Sequence, residues 1–128
     1  MISNYKIFKT IAVLLGLIIF FWLIYDYKSS IDNVNQDYIE ANNNFLKKNY
    51  SKAIVLYRKV SELEPNNLYA LEGEARCLMR LQKYNEALET FNLVLKKDKN
   101  FVPALTNIAI LYDTIEDYEK AILYYRKA

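Results

Sequence analysis

The sequence predicts an all-α fold in which helical repeat units follow an apolar amino-terminal helix. Blocks of similar sequence begin at Tyr50, Tyr84 and Tyr118, so they recur at one constant interval. A fixed period of about 20 to 50 residues is typical of stacked units, since each unit buries its apolar face only against a neighbour. Two glycines and two prolines in 128 residues leave few turn residues for a sheet. An uncharged run covers residues 11–25.

The amino-terminal run is long enough to cross a membrane. Apolar residues extend back to Ile7 past Lys9, and the 19 residues from Ile7 to Tyr25 would reach roughly 28 Å as a helix, close to a ~30 Å hydrocarbon core. The sequence therefore predicts a membrane anchor in residues 1–27 with its span at about 7–25. Representative residues of the span are Ile7, Ile11, Leu15, Phe20, Trp22 and Tyr25.

A cleaved signal peptide is the alternative interpretation of this run. Small residues should then follow it, but Tyr25-Asp26-Tyr27-Lys28 follows instead, and Ser29-Ser30 is a weak cleavage signal. The uncleaved anchor is favoured, and cleavage stays open.

The flanking charges predict the orientation of the anchor. Lys6, Lys9 and the terminal amine precede the span, whereas Lys28 is the basic residue close behind it. By the positive-inside rule the amino terminus is cytoplasmic and the repeats are exported. Frequent Ile, Asn, Lys and Tyr suit a bacterium with an AT-rich genome. Together with the single anchor, this composition predicts a single-pass protein of the bacterial inner membrane. The reversed topology, with cytosolic repeats, stays open.

Behind the anchor the pattern predicts paired helices. Residues 28–33 are either a short tether or a continuation of a helix, and the pairs are 34–47 with 51–63, 68–81 with 85–97, and 102–115 with 118–128. Ser51, Asn85 and Asp117 are predicted to cap the second helix of each pair. Pro65 ends the first pair, and the ring of Pro103 suits a first helical turn.

These residues resemble a tetratricopeptide repeat array. With Ala53 at position 20 of the family motif, the repeat domain is 34–128 and its units are 34–67, 68–101 and 102–128. The matching positions carry small or aromatic residues: Ala41, Ala75 and Ala109; Tyr50, Tyr84 and Tyr118; Ala53, Ala87 and Ala121; Tyr57, Phe91 and Tyr125. The resemblance implies a short right-handed α-solenoid of about three hairpins that binds proteins.

Both end units depart from the family pattern. In the first unit Asp37, Glu40 and Asn44 occupy positions that are commonly large or apolar, which predicts an end cap whose polar side faces water. In the third unit Ile122 and Tyr125 have no helix after them to cover them. A partner or a second copy of the chain is expected to cover this face, unless the sequence is the amino-terminal part of a longer array.

The resemblance also implies a groove lined by the first helix of each hairpin. Carried over by position, its residues are Tyr38, Asn42, Phe45, Leu46, Tyr69, Glu72, Arg76, Met79, Arg80, Thr106, Ile110, Asp113 and Thr114. Such a surface would hold an extended peptide or a helix of a partner protein. Two interpretations of the charged residues stay open. Glu72 and Arg76 form an ordinary surface ion pair, or Arg76 and Arg80 bind carboxylates of a partner segment.

Other functions are disfavoured. Residues 29–128 hold 14 basic and 14 acidic side chains, so no basic footprint predicts nucleic-acid binding. The chain has no histidine, and Cys77 is expected to be a buried hydrophobe, so we predict neither an enzyme nor a cofactor or metal site. Of the carboxylate-clamp positions known in some family members, only Asn42 matches.

The sequence thus predicts a membrane-anchored scaffold that recruits or stabilises partner proteins at the membrane. The alternatives are a constitutive subunit of a larger membrane complex, or the amino-terminal part of a longer repeat protein.

Overall fold

The computed structural model describes the backbone of residues 2–128 and the side chains from residue 4 onward. Over this range the chain forms six α-helices: α1 (Ile2–Leu46), α2 (Tyr50–Leu63), α3 (Leu68–Arg80), α4 (Tyr84–Lys97), α5 (Val102–Thr114) and α6 (Tyr118–Lys127). The all-helical prediction is confirmed.

The chain divides into two units, Met1–Asn35 and Gln36–Ala128. The first unit is helical over its described residues, including 28–33, the predicted tether. The apolar side chains of residues 7–31 are exposed, and the most apolar 18-residue window has a mean hydropathy of 2.6 with none of it buried. By length and composition, this helix can cross a membrane.

The second unit is held together by the small and aromatic residues of the repeat. Ala41, Ala75 and Ala109 have no exposed surface, and Ala53, Ala87 and Ala121 are at most 2% exposed. Their size lets neighbouring helices approach closely, and larger side chains fill the space between. One core cluster contains Phe91, Val94, Ile108 and Leu111; a second contains Tyr57 and Cys77. Neighbouring helices from α2 to α6 pack in chain order, and α3 also contacts α5.

The turn inside each hairpin uses a left-handed residue that the sequence pattern did not reveal. Lys48, Gln82 and Glu116 have φ values of 63°, 60° and 65° and occupy the same position in the three units. The next amide in each turn donates to a carbonyl five residues back, as in Lys83 N to Leu78 O at 2.9 Å. This is the Schellman ending of a helix, in which glycine is the usual residue at the left-handed position. None of the three is glycine.

Two of the three predicted helix caps are wrong. Ser51 and Asn85 lie inside α2 and α4, because these helices begin one residue earlier, at Tyr50 and Tyr84. The prediction for Asp117 is confirmed, since its carboxylate accepts a hydrogen bond from the Lys120 amide at 3.3 Å. A cap that was not predicted is Asn67, which accepts from the Ala70 amide at 3.1 Å.

The predicted water-facing polar side of the first unit is found only in part, since Glu40 is exposed whereas Asn44 is buried and Asp37 is partly buried. Asn44 is 7% exposed and donates to the Glu40 carbonyl at 2.8 Å. Asp37 and Glu40 form ion pairs with α2, to Lys59 and Lys52, each at 2.7 Å. Asp37 and Asn44 are therefore largely shielded from water, whereas the Glu40–Lys52 pair lies at the surface with side chains 48% and 63% exposed.

Candidate functional site

The first helices of the three hairpins contact one another side by side. We call residues 36–46 of α1, together with α3 and α5, the groove helices. The guanidinium of Arg76 on α3 lies 4.2 Å from the centre of the Phe45 ring on α1. On the other side of α3, Asn107 of α5 donates through Nδ2 to Glu72 Oε1 at 2.8 Å. The predicted residues Phe45, Arg76 and Glu72 thus join these helices.

Glu72 is buried between the groove helices. Glu72 is 5% exposed, and Arg76 Nη1 lies 3.6 Å from Glu72 Oε2. Burial raises the pKa of the Glu72 carboxyl above its ordinary value, and the charge of Arg76 opposes that rise. The pair is not an ordinary surface ion pair, because one partner is shielded from water. Arg76 already has two internal partners, which leaves Arg80 as the better candidate for binding a partner carboxylate.

Tyr38 and Asn42 also make internal contacts. Asn42 Oδ1 accepts a hydrogen bond from the Tyr57 hydroxyl at 2.7 Å, and the Tyr38 ring packs edge-on against Tyr57 at 5.9 Å between ring centres. Tyr57 is 1% exposed, and burial raises the pKa of its hydroxyl. Both predicted groove residues therefore fix the position of a core tyrosine.

An open cleft lies at the carboxyl ends of α3 and α5. Its volume is about 260 Å³, and we call it the α3/α5 cleft; its lining residues are Met79, Arg80, Gln82, Tyr84, Asn107, Ile110 and Thr114. Met79, Arg80, Ile110 and Thr114 were predicted as groove residues. The prediction missed the other three lining residues, Gln82, Tyr84 and Asn107. Two of them had a signal in the sequence: Tyr84 is one of the repeated tyrosines, and Asn107 directly follows the predicted residue Thr106.

The cleft combines apolar surface with polar groups at its rim. Arg80 is exposed and makes no ion pair among the residues that the structure describes. Ile110 is 39% exposed, while Met79 is partly buried. A guanidinium beside apolar surface can bind a carboxylate by two hydrogen bonds while an apolar side chain packs next to it. The cleft has the chemistry of a site for an acidic and apolar peptide.

The remaining predicted residues lie outside this cleft. Tyr69 is 57% exposed and packs against Phe101 with 5.1 Å between ring centres. Thr106 is half-buried, and Leu46 and Asp113 are exposed. They extend the polar and aromatic surface of the groove helices without joining the cleft.

Cys77 is buried in the second core cluster, as expected. Burial raises the pKa of its thiol to about 12, so the thiolate that acts as a nucleophile is disfavoured. Across the described side chains, no group of three or more His, Cys, Asp or Glu is placed to hold a metal ion.

Comparison with protein families relates the repeat to known sequences. Two family models described as tetratricopeptide repeat match residues 45–109 and residues 102–128. A DnaJ homolog subfamily C member 3 homolog of Dictyostelium discoideum is 31% identical over 105 residues, which cover 77% of this chain and 20% of that protein. The Superkiller complex protein 3 of Homo sapiens is 32% identical over 88 residues, 62% of this chain and 6% of that protein. The chain thus spans a fifth or less of the length of these relatives.

Solved structures share the fold. The TPR2B domain of yeast Sti1, in a complex with pHsp70, superposes with a TM-score of 0.69 at 22% identity, covering 73% of this chain and 75% of that chain. The first TPR of Spaghetti (RPAP3), bound to the HSP90 peptide SRMEEVD, gives 0.68 at 21% identity, with the same two coverages. MamA AMB-1 gives 0.63 at 25% identity, covering 75% of this chain and 52% of that chain.

Proposed function

We propose that this chain, which belongs to the tetratricopeptide repeat family, is a protein–protein interaction module that acts at a membrane. The α3/α5 cleft is its binding site for a partner segment. The observation that carries the proposal is the exposed guanidinium of Arg80 beside Met79 and Ile110, with no ion-pair partner among the described side chains. The solved structure named with a bound HSP90 peptide supports a peptide as the ligand class.

Site-specific crosslinking tests the cleft. A photoreactive amino acid at Met79 of the full chain should give crosslinked partners in cells, and Arg80→Glu should remove most of them. The matched control places the same amino acid at Leu93, which is 53% exposed on α4 and outside the cleft. Equal crosslinking from Leu93, or no effect of Arg80→Glu, would contradict the proposal.

The membrane attachment is part of the same proposal. Supporting it are the length and apolar composition of the amino-terminal helix. The full chain should stay with membranes at alkaline pH, and removal of residues 1–27 should release it. Protease treatment of cells with a permeable outer layer and an intact inner membrane should cut the repeats if they are exported. Protection until the inner membrane is breached would establish the reversed topology.

A constitutive subunit of a larger membrane complex is the second candidate. It is favoured by apolar residues that remain exposed on the last helix, such as Ile122 at 52% and Tyr125 at 47%. A recruiting module should be stable when purified alone and bind reversibly, whereas a subunit should be degraded in cells that lack its partners. Self-association through the same face also stays a prediction; sedimentation in detergent at increasing concentration tests it.

A further inference from the structure

The groove helices meet twice, and the α1/α3 contact shows what the same positions hold at the α3/α5 contact. Because the units repeat, residues one repeat apart occupy equivalent places in the two contacts. Three residues that line the α3/α5 cleft have equivalents at the α1/α3 contact: Met79 is equivalent to Phe45, Tyr84 to Tyr50, and Ile110 to Arg76.

At the α1/α3 contact, the ring of Phe45 lies between the other two side chains. It packs edge-on against the ring of Tyr50, with 5.5 Å between the ring centres. On the α3 side, the guanidinium of Arg76 lies 4.2 Å from the centre of the same ring. The edge-on arrangement is favourable because the positive edge of one ring meets the negative face of the other. One aromatic ring therefore joins the repeated tyrosine to the next groove helix.

At the α3/α5 contact the tyrosine is kept and the ring is not. Met79 takes the place of Phe45, and the half-buried ring of Tyr84 lines the open cleft with Ile110. The cleft has a volume of about 260 Å³. Since a cavity of about 150 Å³ is large enough to hold benzene, the cleft has room for an aromatic side chain.

Asn107 adds a hydrogen-bond acceptor of fixed orientation. Its Nδ2 atom donates to Glu72 Oε1 at 2.8 Å and to the carbonyl of Pro103 at 2.9 Å. A backbone carbonyl only accepts, so the amide nitrogen must face it and the amide group cannot be reversed. The Oδ1 atom of Asn107 receives no hydrogen bond from the described residues, and a bound chain can donate a backbone N–H to it.

We propose that the α3/α5 cleft binds a partner segment in which an aromatic side chain stands next to a carboxylate. The ring packs between Tyr84 and Met79, in the place that Phe45 has at the α1/α3 contact, and the methionine sulfur adds a favourable contact with it. The carboxylate pairs with Arg80, and a backbone N–H of the segment donates to Asn107 Oδ1. This inference rests on the function proposed for the cleft and specifies its ligand.

The methyl group of Met79 can report a ring in the cleft, because Met1 is the other methionine of the sequence. The probe is the peptide Gly-Ser-Asp-Phe-Asp-Gly-Ser, in which an aspartate on each side of the ring can reach Arg80 in either chain direction. A second peptide carries cyclohexylalanine, which has nearly the same size but no aromatic ring. The protein is the full chain with labelled methionine methyl groups, in lipid nanodiscs.

The phenylalanine peptide should shift the Met79 methyl resonance saturably through its ring current and leave the Met1 resonance in place. The cyclohexylalanine peptide should bind about fivefold more weakly, since the contact between two rings is lost, and should cause no ring-current shift. A peptide with asparagine in place of both aspartates should bind the parent about tenfold more weakly. Against Arg80→Glu this replacement should no longer weaken binding.

Met79→Phe tests the equivalence of the two contacts. The introduced ring should fill the cleft as Phe45 fills its place, and fluorescence anisotropy of the labelled phenylalanine peptide should show at least tenfold weaker binding. Leu93→Phe is the matched control, because it places the same ring on α4 outside the cleft and should leave the affinity unchanged. Circular dichroism should show the parent helicity for both variants.

The outcomes separate this proposal from the function on which it rests. Equal affinity for the phenylalanine and cyclohexylalanine peptides, or unchanged affinity of Met79→Phe, would overturn the aromatic ligand. No binding of the phenylalanine peptide would also overturn it. In each case, partners crosslinked in cells from Met79 and lost with Arg80→Glu would still support the cleft as a binding site, whereas their absence would contradict the proposed function as well.

Discussion

At the scale of single residues, Gly73 is the position where the structure leaves least room. The ring of Tyr57 lies against it, and the Tyr57 hydroxyl is fixed by its bond to Asn42. Tyr57 is also buried beside Cys77 in the second core cluster, so the ring has few alternative positions. A change of one methyl group at Gly73 therefore affects the contact between α2 and α3.

We expect Gly73→Ala to destabilise the second unit by about 1–2 kcal/mol, because overpacking outweighs the better helix propensity of alanine. Urea unfolding of the full chain in detergent, followed by tyrosine fluorescence, measures this change. Gly16→Ala is the matched control, since nothing lies within 4 Å of a Cβ added at Gly16. If both variants unfold at the urea midpoint of the parent, the close contact between Gly73 and Tyr57 does not affect the free energy of unfolding.

A second prediction at this scale concerns the pH dependence contributed by Glu72. Burial raises the pKa of its carboxyl above the ordinary value of 4.5, so the folded state binds the proton more tightly than the unfolded state does. The contribution of Glu72 to stability is therefore full below about pH 4.5 and is lost as the pH rises through the raised pKa. Glu72→Gln should remove this dependence.

The measurement is urea unfolding of the parent chain and of Glu72→Gln between pH 4 and pH 7. The stability of the parent relative to the variant should fall as the pH rises. Glu89 is an exposed carboxylate on α4, so Glu89→Gln serves as the control. Its free energy of unfolding should change with pH in the same way as that of the parent. A constant difference between the parent and Glu72→Gln at every pH would contradict the prediction.

At the scale of helices and turns, each hairpin closes through a residue in an unfavourable conformation. Lys48, Gln82 and Glu116 adopt positive φ, which costs an L-residue with a side chain roughly 1–2 kcal/mol. The Schellman hydrogen bonds and the packing of the paired helices hold the three residues there. The turns are therefore sites where stability can be increased without changing the groove helices.

We expect glycine at Lys48 or at Glu116 to stabilise the chain by about 0.5–1 kcal/mol, because the relieved strain exceeds the entropy that glycine adds to the unfolded state. Urea unfolding measures each single variant and the double variant, whose effects should add. Glu89→Gly inside α4 should instead destabilise by about 1 kcal/mol. If glycine at the turns destabilises the chain, the contacts of the Lys48 and Glu116 side chains contribute more than the strain of positive φ costs.

The sequence predicted the helices well and the local details less well. Buried alanines and aromatics recur at the same positions of every unit, so the helix pairs and the core followed from spacing alone. The left-handed turns were missed because lysine, glutamine and glutamate carry no mark of positive φ. Of the groove residues, Glu72 and Asn42 proved to be internal, because burial depends on neighbours from other helices that a single segment does not reveal.

At the scale of the whole molecule, burial is uneven along the second unit. Phe91, Val94, Ile108 and Leu111 in the middle are fully or nearly fully buried, whereas in α6 Ala121 is the buried residue and most side chains are exposed. In a stacked repeat each unit gains stability from its neighbours, so a helix with one covered face is the least stable.

Hydrogen exchange of the full chain should therefore show fast exchange in α6 and slow exchange in α3, α4 and α5. Mass spectrometry of peptic peptides measures this order. Uniform protection from α2 to α6 would contradict an uneven distribution of stability.

The buried thiol of Cys77 gives the second unit a built-in chemical reporter. Cys77 is the one cysteine of the sequence and has no exposed surface in the second core cluster. A thiol reagent can therefore reach it only when this cluster opens, so the labelling rate of the unaltered chain follows the opening equilibrium of the second unit without an added probe.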